Sequence, residues 1–345
     1  MSPAALDDID DAIDATRALL WPFDLGRWAR LAFVVLFLGG AGAVNPFQFG
    51  GNTGTGMPTD PGQPPNVAQV LNSISATEWA IIAGIVAVVL LIALGFGFVG
   101  AVMEFVFVES LRRERVSIRK YWGERWRQGV RLLGFRLVVG LLTLGIGGGA
   151  LVAGLWPLLA GLEGFSFALL AVGFLVFLAV ALVGGFVNGL TTQFVVPVMI
   201  AEDGGVLAAW RRFWPTLTGE WQEYLVYLVL RFVLGIAIAM VVGIVSVVAA
   251  IALAIPVGVV VLVGVALFSV SEILGGVVIA AAVALFVLCL FVVSLFLAVP
   301  VQTFLRYYAL LVLGDTEAAF DLIADRRREI RGGEPSGTAA AGDKR

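Results

Sequence analysis

Long apolar runs separated by short polar islands organise this chain, and the best-marked island is VVPVMIAEDGGVLAAWRRFWPTLTGEWQEY, residues 195–224. Val195, Val196 and Pro197 close one apolar run. Ala208, Ala209, Trp210, Arg211, Arg212 and Phe213 predict a short helix lying where polar meets apolar. Trp214, Pro215, Gly219 and Trp221 introduce the next run. About twenty apolar residues cross the hydrocarbon of a bilayer, and several runs here reach that length. Backbone polar groups must be paired in lipid, and the runs are too continuous for barrel strands, so the spans are helices. Six are predicted: residues 27–44, 79–103, 132–156, 165–197, 225–256 and 274–300. Pro256 is expected to end the fifth, leaving 257–268 as an outer interfacial or re-entrant helix.

Other elements follow from punctuation and periodicity. Ser2 and Pro3 predict a helix start, and residues 3–20 an amphipathic helix with Leu6, Ile9, Ile13 and Leu20 on one face. Asp7, Asp8, Asp10, Asp11 and Asp14 supply its other face, which suits packing against the protein's own basic segments better than an anionic lipid surface. The helix has no basic leading region and does not read as a secretory signal. Ser75 with Glu78, and Ser269 with Glu272, predict capping boxes that open two spans. Residues 315–330 predict a charged amphipathic helix with Leu313, Phe320 and Ile323 inward. Residues 45–77 read as a Gly/Pro-rich loop and 332–345 as a disordered cytoplasmic tail.

WPFDLGRW (21–28) and WPTLTGEW (214–221) share Trp, Pro, Gly and Trp at one spacing, each before a span. Arg136 follows Trp126 by ten residues, and Arg231 follows Trp221 by ten. Glu163 precedes Gln193 by thirty, and Glu272 precedes Gln302 by thirty. These echoes predict one transmembrane domain, residues 1–331, made of three same-orientation hairpins at about 21–131, 132–224 and 225–331. Trp21, Trp28, Trp126, Trp214 and Trp221 are expected to be interfacial anchors. Pro22 and Pro215 are expected to turn the chain there, with Gly26 and Gly219 allowing a bend.

Composition then fixes the solvent: 60% of the 345 residues are hydrophobic and 14% charged, a balance suited to a bilayer. The outer segments between the expected spans hold none of the 22 Lys and Arg residues. Seen on the positive-inside bias, both termini are cytoplasmic in a multi-pass protein of the cell membrane. The single cysteine, Cys289, sits in an apolar run, and the chain has no histidine. Imidazole metal sites and Ser–His or Cys–His nucleophiles are thereby excluded. No cofactor, metal, catalytic residue or nucleic-acid partner is expected.

Glu104, Arg136, Gln193, Arg231 and Gln302 fall one or two turns inside the basic boundary and form the candidate intramembrane polar cluster. Glu104 and Arg136 are expected to pair across spans two and three. Glu78, Glu163 and Glu272 read as helix caps before an outer acidic ring. Gly145, Gly147, Gly148, Gly149, Gly184, Gly185, Gly275 and Gly276 suit close helix approach. The basic stretch 112–131 is suited to anionic lipid headgroups.

At Pro197, Glu202 and Ala209 to Pro215 the chain resembles an uncharacterised group of six-span membrane proteins from halophilic archaea. It is more distantly similar to membrane domains attached to some glycerophosphodiester phosphodiesterases. The resemblance implies no activity. The expectation is an all-α polytopic bundle acting as a non-enzymatic scaffold or accessory component with a lipid-contacting cytoplasmic collar. The alternative is a small-solute transporter.

Overall fold

A computed structural model describes residues 4–38, 75–159 and 167–332. Glu163, most of the 45–77 loop, the end of the first expected span and residues 333–345 lie outside the described residues. All regular structure among the described residues is helical: α1 (Ala4–Leu20), α2 (Leu25–Leu38), α3 (Ala76–Arg112), α4 (Ile118–Thr143), α5 (Gly149–Leu159), α6 (Phe167–Leu190), α7 (Val196–Glu202), α8 (Val206–Gly219), α9 (Trp221–Leu267), α10 (Glu272–Thr316) and α11 (Ala324–Ile330). Single π-helical turns, Leu144–Gly148 and Thr191–Val195, join α4 to α5 and α6 to α7. Five segments are long and apolar enough to cross a membrane: Ala76–Arg112, Ile118–Pro157, Phe167–Glu202, Trp221–Leu267 and Glu272–Thr316. Apolar side chains such as Leu91, Met240 and Leu262 face outward along them. Lipid is the only surrounding that would not penalise these faces, so this is an all-α membrane protein.

Contacts divide the chain into two compact units that interleave in sequence. One contains residues 1–39, 106–121 and 211–345; the other contains 40–105 and 122–210.

In the first unit α9 and α10 pack along one another, while α1 and α2 lie against α10. Gly264 and Gly275 permit the first contact, since a Cβ on Gly275 would stand 2.8 Å from the Gly264 carbonyl oxygen. The densest packing lies at the polar end, where Tyr307 to Gly314 of α10 are all buried. In the second unit α5 packs on α6 through Gly154 and Gly173. A Cβ on Gly173 would meet the Ala150 carbonyl oxygen at 2.5 Å. Such backbone approach is how membrane helices gain dispersion energy where water drives nothing together.

Several expectations need correction. Helix α9 runs through Pro256 and α10 through Pro300, so 257–267 is helix continuous with the fifth segment. Proline ends helices in water, but within a membrane neighbouring groups can satisfy the carbonyl it leaves free. Pro157 likewise lies inside α5. The second capping box does not form: Ser271, in an extended conformation, accepts from the Leu274 amide, while Ser269 donates back to the Ala266 carbonyl at 2.6 Å. The first forms fully, with Ser75 N donating to Glu78 at 2.7 Å and Glu78 N to Ser75 Oγ at 3.3 Å. Residues 315–330 are not one helix: α10 ends at Thr316, a 3-10 turn spans Ala318–Phe320, and α11 follows. Phe320, Ile323 and Leu313 are buried as expected.

The two Trp-Pro octamers fold differently. Pro22 lies in the bend between α1 and α2, whereas Pro215 is inside α8. Gly26 is helical within α2, and the α8–α9 break falls on Glu220, at φ −110° and ψ 35°. Asp24 supplies the start of α2 by accepting the Gly26 amide at 2.9 Å.

Candidate functional site

Polar side chains concentrate at the basic ends of the helices, and each unit has its own set. In the second unit, Glu104 sits on α3 about two turns beyond the exposed Phe96 and is 1% exposed. Arg136, on α4, donates to Glu104 Oε1 at 3.3 Å and to Thr192 Oγ1 at 2.7 Å. Thr191 and Thr192 occupy the π-helical turn after α6, and Trp210 Nε1 donates to Thr191 Oγ1 at 3.0 Å. Widening the helix by one residue there brings Thr192 to a guanidinium on another helix. Gln193 shares the turn and is half-buried. The predicted Glu104–Arg136 pair thus exists, with Thr192 as a member the sequence reading missed.

A second polar group of this unit lies further out. Arg125 and Gln128 on α4 both donate to Asp203 Oδ1, at 2.9 and 3.0 Å. Asp203 ends α7 in the left-handed conformation, at φ 50°. Gln128 also donates to the Met199 carbonyl at 3.0 Å. This crossing brings the backbones close: a Cβ on Gly129 would stand 3.0 Å from the Cα of Val102.

The remaining predicted cluster residues, Arg231 and Gln302, belong to the first unit. Arg231 donates to Tyr227 Oη on its own helix at 3.0 Å, and Gln302 is half-buried on α10. One turn beyond Gln302, Arg306 is 4% exposed, its guanidinium 6.0 Å from the Phe107 ring centre. Tyrosines fill this end: Tyr227 and Tyr308 stand 5.0 Å apart, Tyr224 Oη and Thr316 Oγ1 are 2.9 Å apart, and Tyr307 donates to the Leu111 carbonyl.

The same unit holds a network that sequence reading reached only in outline. Asp8 of α1 is fully buried and accepts from Arg331 at 2.7 Å. Arg331 also pairs with Asp11 at 2.6 Å and with Asp315 at 2.9 Å, and Arg327 pairs with Asp315 and Asp321. Helix α1 therefore does pack on a basic segment of its own chain. Its buried stripe is Asp8, Ala12, Ala15, Leu19 and Leu20; of the expected apolar face Leu20 is buried and Ile9 half-buried, while Leu6 and Ile13 are exposed. The interface prefers small side chains because α1 lies close along α10. Burial, then the nearby Asp315 charge, pushes the Asp8 carboxyl up to about 8, with Arg331 opposing. Its hydrogen bond to Asp315 pushes Arg331 further up.

Of the expected anchors, Trp21, Trp126, Trp214 and Trp221 are exposed. Trp28 is different: half-buried, it stacks on Phe296 at 6.2 Å and donates to the Leu20 carbonyl.

A search of curated proteins and of solved structures gave no match to this chain. A family model described as "Family of unknown function (DUF7544)" matches residues 3–323. With nearly the whole chain covered, the protein belongs to this family of unknown function.

Proposed function

We propose that the protein is a non-enzymatic membrane scaffold or accessory component whose basic end forms a collar against lipid headgroups. In this reading it has six spans in three like-oriented hairpins, with α2 beginning the first and both termini in the cytoplasm of the cell. The observation that carries it is the pairing at the helix ends. Glu104 with Arg136, Arg125 with Asp203, and Arg331 with Asp8 commit charged groups to contacts that hold helices in place. A carrier would instead keep such groups facing a hydrated path.

The π-helical turn at Thr191–Val195, next to Arg136, is the feature a transporter reading would use. Labelling decides between them. With Cys289→Ala as background, Gln193→Cys should resist a membrane-impermeant maleimide applied from either side of sealed vesicles. Ready labelling there would replace the scaffold by a solute pathway. In intact cells, Gly161→Cys should label from outside and Ser117→Cys and Gly205→Cys should not, testing the orientation.

A further inference from the structure

Most arginines at the basic ends have a partner within the protein; of the first unit's cations that show none among the described residues, three stand together. Arg30 of α2, Arg115 in the bend after α3 and Lys120 in the first turn of α4 make no hydrogen bond or ion pair to any described residue. All three line one cleft, of about 430 Å³, together with Ser117 and Tyr121.

The cleft's other charges are already used. Asp24 caps Gly26, Glu114 pairs with Arg326 at 2.5 Å, and Arg27 donates to the Leu19 carbonyl at 2.6 Å. Local backbone geometry makes the concavity. Helix α3 ends at Arg112, and Glu114 takes the left-handed conformation at φ 52°, reversing the chain so that α4 starts at Ile118. The positive end of the α4 dipole therefore adds to the three cations. Just before Asp24 in sequence, Trp21 and Phe23 are 69% and 54% exposed, on the segment leading into α2. Aromatic side chains so placed sit at headgroup depth.

From this arrangement we infer that the cleft binds the phosphate of an anionic lipid headgroup, held by Arg30, Arg115 and Lys120, with the Ser117 and Tyr121 hydroxyls as further donors. The inference rests on the lipid-collar reading and gives it a defined site.

Native mass spectrometry of the full chain in detergent tests it, with phosphatidic acid, phosphatidylcholine, glycerol 3-phosphate and inorganic phosphate as separate probes. The expected result is one tightly retained phosphatidic acid and no retained phosphatidylcholine. In the Arg30→Gln/Arg115→Gln/Lys120→Gln variant, affinity should fall roughly a hundredfold, three basic contacts each contributing several-fold. Lys120→Glu alone, on an exposed side chain, provides a second variant should the triple one fail to fold. Arg211→Gln/Arg212→Gln should retain the lipid as wild type does. Equal retention by wild type and the triple variant would overturn the cleft while leaving a general collar intact. Equal loss in the Arg211/Arg212 variant would also overturn it, by showing unlocalised charge attraction. Retention of glycerol 3-phosphate or inorganic phosphate without phosphatidic acid would support the phosphate chemistry but overturn the lipid source.

Discussion

Arg331 and Asp8 lie 323 residues apart in sequence and 2.7 Å apart in space. The contact draws an acidic helix onto Arg331 and buries the Asp8 carboxyl, where loss of water opposes its charge and the guanidinium favours it. Asp8 titrates at about 8 when folded, above its ordinary value of 3.8, chiefly through burial. The folded state thus holds the extra proton between those limits. The Asp8 contribution to the docking of α1 therefore declines as pH rises from about 4 to 8, whereas Asp315, against the effect of burial, is held below the ordinary carboxylate range by the Arg331 guanidinium and that contribution is lost in acid.

Hydrogen exchange should report this as faster exchange in residues 4–20 at pH 8.5 than at pH 6, after correction for the intrinsic rate. Asp8→Asn should remove the difference and protect α1 at high pH, since Arg331 keeps Asp11 and Asp315. Identical pH dependence in the variant and wild type would refute the assignment.

For the Glu104–Arg136–Thr192 group the prediction is one of coupling. Arg136→Gln leaves a carboxylate in a buried setting and should cost about 3–5 kcal/mol of stability. Glu104→Gln/Arg136→Gln should cost less than the sum of its parts, and Thr192→Val about 1 kcal/mol. Thermal melts of the full cycle check this; additive losses would show that the pair does not act as a unit.

Most of the fold was readable because apolar runs fix helices whatever their partners are. Glu104 and Arg136 were readable too, as ionisable residues interrupting such runs at matching depth. Thr192 was not: threonines are common in membrane helices, and only the π-helical turn aims this one at Arg136. The phase of α1 was legible only in part: Leu20 is buried as its hydrophobicity predicts, but close packing on α10 selected Ala12 and Ala15 over Leu6 and Ile13. Repetition of Trp, Pro, Gly and Trp did not carry one backbone geometry, since Pro22 and Pro215 sit in a bend and a helix respectively.

Among the glycines, position decides the effect. Gly173→Ala places a methyl 2.5 Å from the Ala150 carbonyl oxygen and should destabilise by about 1–3 kcal/mol. Gly185→Ala, with no described atom within 4 Å of its Cβ, should be neutral or slightly stabilising. Melting temperatures that fall equally for both would remove the α5–α6 contact as the reason.

The start of α10 offers a sharp comparison between neighbouring serines. Ser271→Ala removes the side chain that accepts the Leu274 amide and should cost about 1 kcal/mol. Ser269→Ala removes only a bond from hydroxyl to carbonyl and should cost less. Equal losses would show that the cap has been misassigned.

Docking α1 on α10 and α11 also has a consequence for biosynthesis. Helix α1 leaves the ribosome before α10 and α11 and completes its contacts only when they have been made. At about 5–20 residues per second that is a wait on the order of 15–60 s. Throughout it, Asp8 stands in water as an ordinary ionised carboxylate. Closing the contact near neutral pH therefore captures a proton as well as a helix, so that this step of assembly becomes sensitive to acidity.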